Sequence, residues 1–335
     1  MKNARRNQKA MKVLLTGASG NVGAHALGEL LRQGHTVRCF VPEKERRQGR
    51  RLMRQGNPGQ VEVVVGDIRD ADDVYAAVVD QEVVIHLAAL IPPVSDYQPV
   101  LARAINVGGT QNLIEAMQAQ PQPPRLIYTS SVALFGNTQS LPPPRRVGDP
   151  LAPMDPYSRH KAECERLIAA SGLTWAVLRL AAVPRFNESF DPVRLRAMFS
   201  IPLTDRIETI HPYDAALALA NAIVSPDVWG KTLIIAGGSR CRMQVRDYYQ
   251  GYFEAAGIGL FPAQCFATTS YHLDWYDTDE SQALLQYQRY SYEDFIRQYR
   301  RHLTLVRWGV RLVRPIIRLA IRQYAATGVF GAQPF

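Results

Sequence analysis

Short apolar runs alternate with longer segments of helical periodicity along the first half of the chain. The runs are rich in β-branched residues and almost wholly apolar, as expected of strands that helices cover on both faces. We therefore predict strands at 13–16, 36–41, 61–65, 83–87, 125–129 and 174–178, and helices at 22–33, 71–79, 100–119 and 157–170. This alternation is typical of an α/β fold with a doubly wound parallel sheet and crossover helices.

The alternation weakens after residue 180. Prolines interrupt residues 184–212, whereas 213–224 predicts a buried helix and 232–236 a further strand of the sheet. Residues 243–300 indicate a smaller, mixed α/β lobe rich in tyrosine. We expect this lobe, together with 184–212, to form the far wall of a substrate cleft.

The net charge of +9 at pH 7 is concentrated at the two ends of the chain. Residues 1–10 hold four basic and no acidic side chains, and eight arginines but no acid follow Asp294. The body between them is slightly acidic, so the basic character does not indicate a nucleic-acid-binding surface. Four scattered cysteines predict neither a disulfide framework nor a metal site, and they fit the reducing cytoplasm.

The last segment of the chain carries regularly spaced arginines, at Arg307, Arg311, Arg314, Arg318 and Arg322. At about 100° per residue they share one narrow arc of a helix, and apolar side chains occupy much of the remaining circumference. Such a basic amphipathic helix is typical of one that lies on an anionic membrane surface rather than one that crosses the bilayer. Packing of the apolar face on the protein's own body or on a partner subunit stays open. We expect a cytoplasmic protein that this tail can hold on the inner face of the membrane.

Three glycines stand directly after the first predicted strand and at the start of a predicted helix: Gly17, Gly20 and Gly23. Gly17 permits a tight turn, Gly20 lets the backbone approach a pyrophosphate, and Gly23 permits close packing of helix and strand. The unpaired N–H groups of the helix N-terminus then receive the anion. We predict that this loop binds a dinucleotide, and the predicted site includes its other residues, Ser19, Asn21 and Val22.

The segment TGASGNVG at 16–23 resembles the extended short-chain dehydrogenase/reductase superfamily of the epimerase/dehydratase type. Further motifs of that family follow in order along residues 12–300: Gly66-Asp67-Ile68, His86-Leu87-Ala88-Ala89, Asn106-Val107-Gly108-Gly109-Thr110, YTSSVALFG at 128–136, and Tyr157-Ser158-Arg159-His160-Lys161. The resemblance implies a Rossmann fold and a nicotinamide dinucleotide. It also implies a contact of Asp67 with the adenine amino group and further cofactor contacts from Ile68, Leu87, Ala88, Ala89 and Asn106.

These motifs divide the chain into four parts. A basic N-terminal arm (1–10) precedes a dinucleotide-binding domain (11–183). A substrate lobe (184–302) follows, and its segment near 210–236 returns to the Rossmann sheet. The amphipathic tail (303–335) lies beyond the region that the resemblance covers.

The candidate catalytic residues are Ser131, Tyr157 and Lys161. Hydride transfer at a carbon that bears oxygen needs a group to move the proton on that oxygen, and a tyrosine serves when its pKa is drawn from about 10 toward neutrality. Lys161 lies one helical turn after Tyr157 and places a positive charge on the same face. The resemblance implies that Lys161 also holds the nicotinamide ribose and that Ser131 binds the substrate oxygen. The resemblance also selects Ser131 over Ser130, because the family's serine lies four residues before the aromatic residue that corresponds to Phe135.

The choice between NAD and NADP depends on the residues after the second strand. Glu43 lies at the distance where an acid grips the adenosine ribose of NAD. A basic loop follows, with Lys44, Arg46, Arg47, Arg50 and Arg51, any of which could meet a 2′-phosphate. The basic loop favours NADP, although a solvated surface loop remains an alternative and NAD stays open.

The segment 185–209 is short and contains no glycine, unlike the diphosphate-binding segment of nucleotide-sugar relatives. We therefore predict an NAD(P)-dependent oxidoreductase that acts on a small or lipophilic carbonyl or alcohol. An epimerase or dehydratase that retains its cofactor, and a non-catalytic dinucleotide-binding sensor, are the alternatives. His86, His211 and Asp214 are interpreted as structural.

The resemblance also implies a homodimer, formed through the helices at 100–119 and 157–170. The first of these helices carries an apolar stripe, at Ile105, Leu113, Ile114 and Met117. The stripe is buried either in such an interface or against the sheet, and the sequence alone does not decide between them.

Overall fold

The computed structural model of the protein describes residues 9–187 and 190–303, together with residues 315 and 319. Its strands are β1 Lys12–Thr16, β2 Thr36–Val41, β3 Val61–Val65, β4 Val83–His86, β5 Arg125–Ser131, β6 Trp175–Leu180, β7 Arg206–Glu208, β8 Thr232–Ile235 and β9 Arg242–Gln244. Its α-helices are α1 Gly23–Arg32, α2 Arg46–Leu52, α3 Ala71–Val78, α4 Val94–Tyr97, α5 Pro99–Arg103, α6 Gly109–Gln118, α7 Pro156–Ala170, α8 Pro192–Phe199, α9 Pro212–Val224, α10 Val245–Ala255, α11 Asp279–Leu285 and α12 Tyr292–His302.

Seven strands form one parallel sheet in the order β3-β2-β1-β4-β5-β6-β8. The order reverses between β1 and β4, which makes the sheet doubly wound and opens a crevice at the carboxyl ends of these strands. The predicted α/β fold is confirmed. The further strand predicted at 232–236 is confirmed as β8, which pairs with β6.

Each face of the sheet has its own apolar core. Val13 and Leu15 of β1 point to the face that α1 and α9 cover, and Leu14 between them points to the face of α3, α6 and α7. This burial on both faces explains why the strands read as continuous apolar runs. Leu113, Ile114 and Met117 of α6 are buried against the sheet within the same chain, whereas Ile105 is half-buried.

Two predicted elements differ from the structure. Residues 44–51, predicted as a basic loop, form a 3₁₀ turn at Glu43–Glu45 and then helix α2. Gly49 and Leu52 bury the inner side of α2 against β2 and β3, while its arginines cover the outer side. The helix predicted at 100–119 is interrupted by a π-helical stretch at Ala104–Gly108.

The chain beyond β6 divides between the sheet and a second set of elements. Helix α9 and strand β8 belong to the sheet, while β7 and β9 pair antiparallel as a separate two-stranded sheet. Helices α8 and α10 pack around that sheet, and α12 packs on α10 through an aromatic cluster that includes Tyr252, Phe295 and Tyr299. Within the described residues, no helix is long and apolar enough to cross a membrane. The predicted N-terminal arm (apart from Lys9 and Ala10) and nearly all of the predicted tail lie outside the described residues.

Candidate active site

The glycine loop joins β1 to α1 in a conformation that a side chain would obstruct. Gly17 has φ +70°, and a Cβ there would stand 2.8 Å from the backbone nitrogen of Ala88. A Cβ at Gly23 would stand 2.1 Å from the carbonyl oxygen of Gly17. The same oxygen accepts a hydrogen bond from the Gly20 N–H at 3.0 Å. Helix α1 begins at Gly23 with no side-chain cap from any described residue and no acid in its first turn. This cradle of backbone N–H groups fits the pyrophosphate of a dinucleotide.

The side chains of the loop face other parts of the protein. Asn21 donates through Nδ2 to the carbonyl oxygen of Pro184 at 3.2 Å and so ties the loop to the segment after β6. Val22 packs against the core beneath α1. Ser19 donates through Oγ to the carboxylate of Glu45.

Glu45 therefore contacts the glycine loop, whereas the sequence-based prediction named Glu43. The turn after Pro42 directs Glu43 to the surface, where it pairs with Arg46 at 2.7 Å. Lys44 is exposed on the same turn. Both acids belong to the 3₁₀ turn at Glu43–Glu45, and a contact of Glu43 with the cofactor stays a prediction.

A buried polar chain supports the loop after β4. Thr16 Oγ1 lies 2.7 Å from His86 Nδ1, and His86 Nε2 lies 3.1 Å from Thr110 Oγ1. Thr16 Oγ1 also accepts the N–H groups of Leu87 and Ala88, each at 3.2 Å. Burial lowers the pKa of His86 to about 3, so the ring is neutral and links Thr16 to Thr110 through its two nitrogens. The structural interpretation of His86 agrees with this geometry.

Other predicted cofactor residues have side chains that are already engaged. Asn106 Nδ2 donates to the carbonyl oxygen of Leu90 at 2.9 Å, and Asn106 Oδ1 accepts the Leu90 N–H at 2.8 Å. Asn106 thus positions the loop that contains Ala89. Asp67 binds Arg69 at the surface, and this hydrogen bond lowers the pKa of Asp67. Ile68 is buried against Gly109.

The structure brings Ser131 and Tyr157 together at the carboxyl end of β5. Ser131 ends the strand and accepts the Ala133 N–H through Oγ at 3.1 Å. Asp155 starts α7 with a capping box, and Tyr157 follows in the first turn, within hydrogen-bonding reach of Ser131. The hydroxyl of the neighbouring Ser130 is buried and bonds no other described residue. Because successive strand residues point to opposite faces, this geometry agrees with the choice of Ser131.

Lys161 is buried on the next turn of α7. Its Nζ donates to the carbonyl oxygen of Thr129 at 2.6 Å and lies 4.5 Å from the centre of the Tyr128 ring. Burial lowers the pKa of Lys161 to about 8. The ammonium therefore begins to lose its proton just above neutral pH.

The pKa of Tyr157 is shifted upward, opposite to the predicted direction. Burial raises the pKa of Tyr157 to about 12, the hydrogen bond with Ser131 acts against this, and the negative charge of Asp155 adds to it. The prediction relied on Lys161, but this amine lies 5.7 Å from the centre of the Tyr157 ring and bonds Thr129 instead. Without a further positive charge, the phenol is protonated at neutral pH.

The sequence profile of the NAD dependent epimerase/dehydratase family matches residues 13–184, which is just over half of the chain. The chain belongs to this family. The suspected extended short-chain dehydrogenase/reductase classification is thereby confirmed, and so, at the level of the family, is a nicotinamide-dependent enzyme.

Two relatives and one solved structure illustrate this membership. A 3 beta-hydroxysteroid dehydrogenase/Delta 5-->4-isomerase of Mycobacterium tuberculosis is 34% identical over 183 residues, covering 52% of this chain and 46% of that protein. Human 3 beta-hydroxysteroid dehydrogenase type 7 is 33% identical over 167 residues, covering 49% of this chain and 43% of that protein. The chain spans about half the length of these relatives. A UDP-glucose-4-epimerase from Stenotrophomonas maltophila, solved with NAD and formylated UDP-arabinopyranose, has the same fold, with a TM-score of 0.72 at 23% identity over 88% of this chain and 99% of that chain.

In this member of the family, further titratable groups gather near Tyr157 that the sequence reasoning missed. Asp155 caps α7, and His272 approaches it from the loop before α11. The rings of Tyr271 and His272 contact each other with centres 3.8 Å apart. Asp96 of α4 is also near, since its pKa is raised mainly by burial and further by the charge of Asp155. The D-P-Y-S sequence at 155–158 could have identified Asp155 as a helix cap. Nothing local to His272 indicated its position.

Five exposed apolar side chains lie in the segments that follow β4 and β5, and we call them the apolar rim. It comprises Ile91, Val94, Tyr97, Val100 and Met154. The first four follow β4, and Met154 directly precedes the cap of α7. Because the residues after β4 and β5 frame the crevice of a doubly wound sheet, the rim borders the candidate active site.

His211 and Asp214 have structural contacts, as interpreted from the sequence. His211 accepts the Tyr213 N–H through Nδ1 at 3.2 Å and so caps α9. One carboxylate oxygen of Asp214 accepts the N–H groups of Arg289 and Tyr290, both at 3.0 Å. These contacts connect α9 to the chain before α12.

Proposed function

We propose that this chain is an NAD-dependent oxidoreductase that interconverts a secondary alcohol and its ketone on a lipophilic substrate. The observation that carries the proposal is that Ser131 and Tyr157 lie within reach of each other at the carboxyl end of β5, on the edge of the sheet that also bears the glycine loop. Hydride transfer and proton transfer need groups that meet at one such edge.

The proposed proton relay assigns a separate role to each of the three side chains. Ser131 and Tyr157 donate hydrogen bonds to the substrate oxygen, and the protonated phenol of Tyr157 gives its proton to that oxygen during ketone reduction. When bound, NAD supplies the hydride acceptor and a positively charged ring, which favours the phenolate that alcohol oxidation requires. Lys161, held by Thr129, keeps positive charge beneath the site and is expected to bind the nicotinamide ribose.

The apolar rim supports a lipophilic substrate, since exposed apolar side chains around a cleft mark binding surfaces for apolar ligands. Residues 185–209 contain no glycine that would let the backbone wrap a diphosphate. The two named relatives are 3 beta-hydroxysteroid dehydrogenases. We therefore take 3β-hydroxysteroids as the substrate class to test first.

Incubation with NAD⁺ and a 3β-hydroxysteroid is expected to yield NADH and the 3-ketone in equal amounts, because the cofactor leaves the site reduced. The measurement is NADH absorbance together with mass spectrometry of the steroid, with UDP-glucose as the comparison substrate. Epimerisation of UDP-glucose without net NADH would instead identify the alternative, an enzyme that retains its cofactor. Binding of NAD⁺ with no turnover of either substrate would identify a sensor.

For the cofactor, we propose NAD rather than the NADP that the basic residues favoured. The Glu45 carboxylate beside Ser19 places a negative charge at the edge of the glycine loop, where it can accept ribose hydroxyls and repel a 2′-phosphate. Arg46, which directly follows this turn, is already paired with Glu43.

Glu45→Gln is expected to weaken NAD binding about 10- to 100-fold and to leave or improve NADP binding, because a charge-assisted hydrogen bond is worth about 1.5–3 kcal/mol. Calorimetric titration of both dinucleotides measures the two affinities. Glu43→Gln is the matched control and keeps the wild-type preference. A wild-type preference for NADP that Lys44→Ala with Arg46→Ala abolishes would contradict the assignment and restore the basic residues to that role.

Association with other surfaces stays a prediction. The arginine-rich face that motivates membrane-surface binding lies outside the described residues. The apolar side chains of α6 are buried within the chain, so a homodimer through α6 and α7 would use the more polar outer faces of these helices. Next to them, Arg103 of α5 pairs with Glu163 of α7 at 2.6 Å.

A further inference from the structure

The two oxygens of the Asp155 carboxylate differ in their contacts: one accepts a hydrogen bond and the other accepts none from the described residues. Oδ1 accepts the Ser158 N–H at 2.8 Å, which fixes the orientation of the group at the start of α7. Oδ2 is buried and accepts no hydrogen bond from any described residue. It lies 3.6 Å from His272 Nδ1. Since a buried charge is costly to leave unpaired, this oxygen points to His272 as its partner.

Contacts on three sides hold the loop that carries His272. The Tyr271 N–H donates to Asp205 at 2.8 Å, and Asn137 donates to the Ser270 carbonyl oxygen at 3.3 Å. Gln139 donates to the carbonyl oxygen of Leu273. The imidazole is therefore held against Asp155 by a fixed backbone rather than by a mobile surface loop.

The pair lies beside the candidate catalytic residues. Asp155 precedes Tyr157 by two residues, and its charge acts on both Tyr157 and Tyr271. Asp96 faces the pair from α4, and the segment 137–139 that anchors the His272 loop follows β5. All of these groups except the His272 loop lie in the segments that follow β4 and β5, and substrates bind at the carboxyl ends of the strands in such sheets.

We propose that His272, oriented by Asp155, is a second acid–base group of this site, which moves a proton on a carbon next to the substrate carbonyl. The inference rests on the proposed function, because the ketone is what makes that carbon acidic. Nδ1 is the ring nitrogen that faces Asp155, so Nε2 is the atom that accepts the proton in this proposal.

The step is redox-neutral. Nε2 takes the proton from the carbon, the C–H electron pair becomes the C=C bond of an enolate, and the carbonyl π pair moves onto oxygen. Ser131 and Tyr157 donate hydrogen bonds to that oxygen, and Asp155 balances the imidazolium through Nδ1–H. Return of the proton to the same carbon, or to the far end of a conjugated double bond, regenerates the neutral imidazole. A β,γ-unsaturated ketone thereby becomes its conjugated isomer.

The electrostatic setting suits a base. Burial lowers the pKa of His272 below its ordinary value, and the charge of Asp155 opposes this shift. The ring is therefore neutral at neutral pH. Since only the neutral ring accepts a proton, the isomerisation rate is expected to fall as the pH drops below the His272 pKa.

Two reactions, measured in the same protein, test the proposal. Dehydrogenation is followed as NADH formed from NAD⁺ and a 3β-hydroxysteroid. Proton transfer is followed as conversion of a 3-oxo-5-ene steroid to the conjugated 4-ene-3-one, with deuterium uptake from D₂O, and it needs no net hydride transfer. His272→Gln keeps hydrogen-bonding capacity but cannot accept the proton. It is expected to lower the ratio of isomerisation to dehydrogenation by about 100-fold or more.

Two further variants complete the test. His302→Gln, in the last turn of α12, is the matched control and keeps the wild-type ratio. Asp155→Asn retains a good helix cap and shifts the acid limb of the isomerisation profile to lower pH, because the anion that raises the His272 pKa is gone.

The outcomes separate the two proposals. A His272→Gln ratio like that of wild type overturns the assignment of His272. So does a wild-type enzyme that dehydrogenates the alcohol and leaves the 3-oxo-5-ene steroid unchanged, and in both cases the proposed oxidoreductase stands. Isomerisation without dehydrogenation of any alcohol contradicts the proposed oxidoreductase alone.

Discussion

Tyr157→Phe is expected to lower kcat for alcohol oxidation by about 10²–10⁴-fold, the usual contribution of a positioned acid–base group. Phenylalanine retains the ring in the first turn of α7 and removes only the hydroxyl that lies within reach of Ser131. NAD affinity should remain close to wild type because the proposed cofactor contacts come from other residues. Stopped-flow NADH formation and calorimetric titration of NAD measure the two effects separately.

Tyr75→Phe is the matched control for this variant, because Tyr75 is exposed on α3. It should keep both rate and affinity. If Tyr157→Phe turned over a verified substrate at the wild-type rate, the Ser131–Tyr157–Lys161 relay would be wrong. An equal loss of NAD affinity and kcat would instead indicate that Tyr157 supports the fold of the site.

Gly23→Ala is expected to weaken NAD binding about 10- to 100-fold, which corresponds to the loss of one charge-assisted hydrogen bond of about 1.5–3 kcal/mol. The new Cβ would stand 2.1 Å from the Gly17 carbonyl oxygen and 2.9 Å from Ala18 Cα, so the loop must move away from α1. That movement misplaces the N–H groups that we expect to hold the pyrophosphate. Calorimetric titration and the rise in Tm on addition of NAD both measure the effect.

Gly28→Ala supplies a matched control on the same helix. Gly28 has no atom within 4 Å of an added Cβ, and an alanine in a helix interior is more stable than glycine by about 0.5–1 kcal/mol. The control should therefore bind NAD normally and unfold at a higher temperature. If Gly23→Ala also bound NAD normally, the cradle described for the glycine loop would not be the cofactor site.

The sheet could be predicted from local pattern to within a few residues at each strand end. β2 and β3 match their predicted bounds in full, since each is a run rich in β-branched residues and the two pair with each other along Val37–Val41 and Val61–Val65. The glycine loop could be predicted equally well, because the positive φ at Gly17 and the close approach of the Gly17 carbonyl oxygen to Gly23 each require glycine. These features depend on residues that are neighbours in sequence, and a linear pattern records such neighbours.

Helix α2 was missed because its signal is weak at the level of sequence. Only Gly49 and Leu52 of its seven residues are buried, and its arginines suggested a solvated loop. Its position follows from packing against Val41 and Val63, which lie on two different strands.

The spacing of Tyr157 and Lys161 along one helix predicted that both would lie near Ser131, but not their charge states. Burial by the rest of the protein moves the Tyr157 pKa up and the Lys161 pKa down, and a pattern of letters carries no measure of burial.

The sequence by itself determined the family, the parallel sheet and the residues at the strand ends. Only the tertiary structure decided that Glu45 rather than Glu43 reaches the glycine loop, and that His272 meets Asp155 across more than a hundred residues of chain. Both outcomes depend on how segments distant in sequence turn toward one another. Such turns are set by the balance of burial and hydrogen bonding over the whole molecule, which no local window of the sequence contains.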